Sequence, residues 1–170
     1  MRIATFATTA CLALLGTMVF AQSVTYDFDR SANFTKFRTY TWVRGTTLGD
    51  ELNHQRVVRA IDAQLTARGF SRVEANPDVL VAYHASFDKN LQINAFGSGP
   101  RIGYRSGTAT VEEIVVGTLA IDMMDAQTRS IVWRGIATKE LDAKASPEKK
   151  EKGINKAAEK IFKNYPPAGR

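Results

Sequence analysis

Residues 117–135 read GTLAIDMMDAQTRSIVWRG, with Asp122 and Asp125 three apart and Arg129 and Arg134 close behind them. Either the two carboxylates form a catalytic pair, or the stretch is a strand, a turn and a second strand. A turn over Asp125-Ala126-Gln127-Thr128-Arg129, with Arg129 in a left-handed bulge position, sets Met123 against Ile131 and Ile121 against Trp133, giving the hairpin one apolar face. Asp122 then lies on the reverse face opposite Val132, one diagonal from Arg134 and within reach of a cross-strand ion pair. Asp125 opens the turn, where its carboxylate can accept from amides two residues on. Acid–base work on one substrate needs two carboxylates to converge. These two point to different places, so Asp122, Asp125, Arg129, Trp133 and Arg134 are read as hairpin structure.

The rest of the chain is organised around that hairpin. Upstream, DVLVAYHASF places Val79, Val81, Tyr83, Ala85 and Phe87 on one face, while Leu80 and Ala82 keep the other apolar at its start. This is the pattern of a central strand covered on both sides for part of its length. VTYDFDRS and FRTYTWV alternate polar with aromatic or β-branched residues, predicting two N-terminal strands joined through SANFTK. FSRVE reads as a short strand and ANPD as a turn. Between FRTYTWV and FSRVE, from Asp50, Val57, Val58, Ile61 and Leu65 recur on one side of a helix. Gly69 and Phe70 then supply a left-handed cap and a hydrophobic contact folding back, which predicts a helix end at Arg68. A second helix is expected after Ser146, a hydrogen-bonding cap, with Pro147 at the first helical position. Its buried stripe is Ile154, Ala157, Ala158, Ile161, Phe162 and Tyr165, and Pro166 and Pro167 stop it. The expected fold is α+β, an antiparallel sheet of about five or six strands with two helices packed on one face.

The first 21 residues, MRIATFATTACLALLGTMVFA, combine a positive start, an uncharged apolar middle and small residues at the −3 and −1 positions before Gln22. They read as a secretory signal peptide cut after Ala21, leaving residues 22–170 as one domain. Removing Arg2 with it lowers the net charge from +6 to +5. The sole cysteine, Cys11, lies inside the apolar run and not at a cleavage point. That argues against a lipid anchor and leaves the mature chain without disulfides or a thiolate metal site. Export makes nucleic acid an improbable target of the positive charge, whereas anionic lipid, cell-wall polymer or an envelope protein would suit it.

Four blocks in this order, YDFDRSANFTKFRTYTWV, NPDVLVAYHASF, GTLAIDMMDAQTRSIVWRGIA and GINKAAEKIFKNYPP, resemble the bacterial family known as domain of unknown function 4136. The resemblance implies an exported or lipoprotein envelope module of α+β fold, with no assigned activity and no catalytic residues to carry over. The chain departs from the pattern in having Arg129 where a glycine commonly sits, and a non-glycine residue at positive φ costs about 1 kcal/mol.

Candidate chemistry elsewhere is thin. His54 and His84 fall on different predicted elements, without ligand spacing and without a mature cysteine, so no metal site is expected. Gly97-Ser98-Gly99 lacks the preceding glycine and the following helix of a nucleophile elbow. GSGPRIG fails the dinucleotide fingerprint, and no cofactor is expected. Residues 90–110 hold Gly97, Gly99, Gly103 and Gly107 without a period and read as a mobile connection. Within it Phe96, Ile102 and Tyr104 interleave with Arg101 and Arg105, a composition that could grip an anionic polymer, a lipid head group or a partner protein. The open sheet face, with Leu80, Ala82 and Val132, is a second candidate surface and a seam for a homodimer. The resulting expectation is an exported, non-catalytic binding or assembly module of the cell envelope. The rival is an envelope hydrolase using His84 with a nearby carboxylate, which a walled pocket around that pair would favour.

Overall fold

The computed structural model describes residues 22–46, 48–96 and 108–167. The elements are β1 (Ser23–Phe28), a 3-10 turn (Phe34–Lys36), β2 (Thr39–Trp42), α1 (Glu51–Thr66), β3 (Ser71–Arg72), β4 (Val79–Phe96), β5 (Thr108–Asp125), β6 (Ile131–Leu141) and α2 (Pro147–Phe162). They build one six-stranded sheet in the order β1-β6-β5-β4-β2-β3. The fold is α+β as the sequence predicts, but the sheet is mixed. β2 runs parallel to both β4 and β3, while β1, β6, β5 and β4 pair antiparallel. The reason is α1, which carries the chain from β2 back to the same end of the sheet, as a parallel pair requires.

Both helices lie on one face. Val57, Ile61 and Leu65 of α1 and Ile161 and Phe162 of α2 join Val79, Val81, Tyr83, Ile121, Met123 and Trp133 in a single core. Asp50 caps α1 by accepting from the amides of Leu52 and Asn53, and Ser146 caps α2 by accepting from Lys149. Gly69 takes φ +83° just after α1, and the Phe70 amide returns to the Leu65 carbonyl. Arg68 joins the two helix ends, donating to the carbonyls of Phe162 and Tyr165 at 2.7 and 3.3 Å. The helices therefore run in the same direction, with their N-terminal halves together at the opposite end of the layer.

The hairpin register differs from the expected one. Arg129 does take a positive φ of 61°, and Asp125 accepts from the amides of Gln127 and Thr128 at 2.8 and 3.1 Å. Met124 pairs with Ile131, however, and Met123 with Trp133, so Val132 is an extra residue in β6. This bulge slides Asp122 directly opposite Arg134 and Ile121 opposite Gly135. An inserted residue of this kind restores the apolar face on both strands without matching turn length to register.

β4 and β5 are much longer than their neighbours. They pair from Val79↔Asp125 to Phe96↔Thr108, while β6 leaves β5 at Val115. Strand pairing thus continues through 90–96 and from 108, narrowing the irregular connection expected over 90–110 at both ends. Residues 97–107 lie outside the described residues.

Candidate functional site

The carboxylates of the hairpin do separate jobs. Asp122, on the face away from the helices, accepts from Arg134 Nε on Oδ1 and from Nη2 on Oδ2, at 2.5 and 2.6 Å, and His84 Nε2 lies 3.4 Å from that same Oδ2. This bidentate pair holds the guanidinium charged, raising Arg134 above its ordinary value. Asp125 is buried at the turn, where the Lys36 ammonium at 2.7 Å, with the Thr128 and Gln127 amides, holds its carboxyl below the usual carboxylate range.

His84 therefore does sit beside a carboxylate, and the geometry shows what it can do there. Its Nδ1 accepts from the Thr46 amide at 3.1 Å, which places the ring proton on Nε2, towards Asp122. The Thr46 hydroxyl lies 3.1 Å from the same Nδ1. With that lone pair engaged by a backbone donor, the imidazole is poorly placed to take a proton from a nucleophile. The side chain is 41% exposed, and among the described residues neither the cavity beside Leu119 and Ala157 nor that beside Asp78 and Asp125 is lined by His84, Asp122 or Arg134. His54 is elsewhere, its Nδ1 at 2.5 Å from the Tyr83 hydroxyl on the helix side. No group of three or more His, Cys, Asp or Glu suited to a metal occurs among the described residues.

The open sheet face also differs from its expected character. Leu80, Ala82 and Val132 are buried within the chain at 6, 3 and 4% exposure. What this face presents around Asp122 is the ion pair and the His84 ring. Of the loop residues singled out in the sequence, Phe96 is the last residue of β4, and Arg101, Ile102, Tyr104 and Arg105 lie outside the described residues.

The apolar surface left over lies on the helix side. The strands continue beyond the N-terminal ends of α1 and α2 and leave a groove of about 340 Å³. Its floor is two successive rows of the sheet, Ala85–Leu119–Ala137 and Phe87–Gly117–Lys139, with Val115 and Leu141 beyond them. Its walls are Leu48, Asn53 and Val57 on one side and Lys149, Lys150, Gly153, Ile154 and Ala157 of α2 on the other. Phe87 and Leu141 are exposed at 55 and 36%, unusual for large apolar residues on a sheet face that is core a few positions away. Sequence reasoning placed Phe87 on the core face but missed the groove. The signal available was length: the apolar alternation of β4 and β5 outruns a helix of 16 residues, about 24 Å at 1.5 Å per residue.

A mixed sheet covered on one side by two helices, with an apolar groove at their N-terminal ends, defines an α+β domain. The chain belongs to the family described as Domain of unknown function (DUF4136), whose model matches residues 24–167. No curated protein matches it. Among solved structures it is similar to a PDZ domain protein from Parabacteroides distasonis, at 17% identity and TM-score 0.57 over 88% of this chain. The match spans only 37% of that protein's chain. It is also similar to the PelC dodecamer from Paraburkholderia phytofirmans, at 10% identity and TM-score 0.53, covering 84% of this chain and 96% of that one. At these identities the likeness is one of fold.

Proposed function

We propose that this chain is an exported module of the cell envelope that binds rather than catalyses, and that its working surface is the groove at the N-terminal ends of α1 and α2. The observation that carries the reading is the position of Phe87 and Leu141, large apolar side chains exposed on the continuation of the core face. A soluble fold gains by covering such a row or by ending the strand before it, and surfaces that do neither mark interaction sites. The signal-like first 21 residues support export, and the surplus positive charge suits anionic lipid, cell-wall polymer or an acidic envelope protein. The hydrolase reading is weaker because His84 is open to solvent and its free nitrogen is already engaged.

Photo-crosslinking in the native envelope tests this. A benzophenone amino acid in place of Phe87 is expected to give a defined adduct, whether protein, lipid or glycan, and the same group in place of Thr138 on the reverse face is not. Adducts from Thr138 alone would refute the assignment of the surface, and cytoplasmic partners alone would refute the compartment.

A further inference from the structure

The groove's chemistry narrows its occupant. Nearly all its floor is aliphatic or aromatic, and the floor's backbone groups lie in the plane of the sheet, those of Gly117 and Leu119 on β5 being spent in the β4–β5–β6 ladders. Its polar lining is Gln22, Asn53, Thr118, Lys139, Glu140, Asp142, Lys149 and Lys150, and part of it is committed. Asn53 donates to Asp50 at 2.9 Å and accepts from Arg56 at 2.7 Å, and Lys149 is paired with Asp142 at 2.8 Å. Lys139 and Lys150 meet no carboxylate among the described residues. Lys139 belongs to the helix side of β6, following Trp133, Gly135 and Ala137 in the strand's alternation, and stands directly across from Gly117. A cation thus ends an apolar row, with a second cation on α2 bordering the same groove.

A peptide laid in this groove would bury amides with few partners to satisfy them. A hydrocarbon chain carries no such groups, and a negative end would meet the two lysines. Resting on the reading of the groove as the binding surface, we infer that its ligand is a single acyl chain with an anionic head group, the chain lying over Gly117, Leu119 and Ala137 and the head between Lys139 and Lys150.

The test uses purified residues 22–170 with three probes of similar chain length: palmitate, palmitoyl-lysophosphatidylglycerol and uncharged hexadecyl maltoside. Native mass spectrometry and displacement of anilinonaphthalene sulfonate read the binding. One mole of anionic probe per mole of chain is expected, with the uncharged probe at least tenfold weaker. Palmitate alone binding would identify a free fatty acid as the source of the chemistry, and the lysolipid alone a membrane lipid. Lys139→Glu with Lys150→Glu should erase the preference for the anionic probes. Gly153→Trp should block all three, since Gly153 lines the groove and a Cβ added there meets nothing within 4 Å. Circular dichroism shows whether each variant is folded. Equal binding of charged and uncharged probes, or preference unchanged in the double lysine variant, overturns the inference. So does self-association that covers the groove and excludes every probe. If no probe binds while the Phe87 crosslink persists in the envelope and Gly153→Trp abolishes it, the acyl ligand is refuted and the groove remains the binding surface.

Discussion

Whether Asp122 serves chemistry or architecture can be decided by a double-mutant cycle with Arg134. Asp122 is 4% exposed in its side chain and receives two charge-assisted hydrogen bonds, at 2.5 and 2.6 Å. Breaking a fully buried ion pair costs about 3–5 kcal/mol. Arg134, however, is 44% exposed, so water screens the pair and rehydrates the guanidinium once its partner is gone. Halving the buried figure gives a coupling of about 2 kcal/mol between Asp122→Ala and Arg134→Ala. For residues 22–170, a length of 149 residues, a loss of that size corresponds to a fall in Tm of about 4–8 °C in the single variants. The internal control is Lys149–Asp142, 2.8 Å apart but 67 and 49% exposed, for which the coupling should stay below about 0.5 kcal/mol. Urea unfolding of the two sets of four proteins measures both. Equal, small couplings would refute the structural role, and would reopen the case for a carboxylate kept beside His84 for its reactivity.

Four further outcomes follow from particular positions. Asp78 and Asp125 both have folded pKa values below the ordinary carboxylate range, Asp78 chiefly through the Arg38 amide and Asp125 through Lys36. Their contribution is therefore fully present above the unfolded value of about 3.9 and is lost as pH falls through the lower folded values. Lys36→Met should flatten that acid limb in a pH series of urea midpoints, and an unchanged limb would sink the assignment. Gly135→Val should destabilise by about 1–3 kcal/mol or prevent folding, because a Cβ there would lie 2.5 Å from Ile161 Cγ2 and 2.6 Å from Trp133 Cη2. Gly153→Ala, in open space within α2, should stabilise by about 0.5–1 kcal/mol, and both are read by thermal unfolding. Arg129→Gly, at φ 61°, should raise stability by up to about 1 kcal/mol, and a loss would show that the arginine side chain makes up for its backbone.

Local chemistry made the helices and the turn legible. A cap such as Ser146-Pro147, or a carboxylate such as Asp125 ahead of free amides, is satisfied within three residues, so the sequence window contains both partners. The parallel pairing of β2 was hidden because its partner Val79–Val81 lies beyond a whole helix, and nothing in Thr39–Trp42 states direction. The one-residue bulge at Val132 was hidden for a different reason. Val132 and Trp133 are both apolar and both buried, so two registers satisfy the pattern equally and only packing chooses. Strand pairing through 90–96 was masked by Asn90, Gln92 and Asn94, whose polarity reads as loop although β5 pairs them throughout.

The groove itself is a graded property of two elements and belongs to neither alone. On the helix side of β6 the residues shrink from Trp133 to Gly135 and Ala137 before Lys139 ends the row. Along α2, read backwards, the stripe goes from Phe162 and Ile161 through Ala158 and Ala157 to Ile154 and Gly153. The bulky ends meet each other: Trp133 stacks on Phe162 with ring centroids 5.4 Å apart, and Gly135 lets Ile161 approach the strand. The small ends also meet, at the N-terminal half of the helices, where Ala137 and Ala157 both line the open space. A fold seeking only stability would reverse one of the two gradients so that large faced small and the layers closed along their whole length. Here the small residues Ala137, Ala157 and Ala158 fall together, so the layers are tight at Trp133 and part beyond Ala137. Substituting Ala157 with leucine would oppose that opening, filling the groove from a position at the margin of the core.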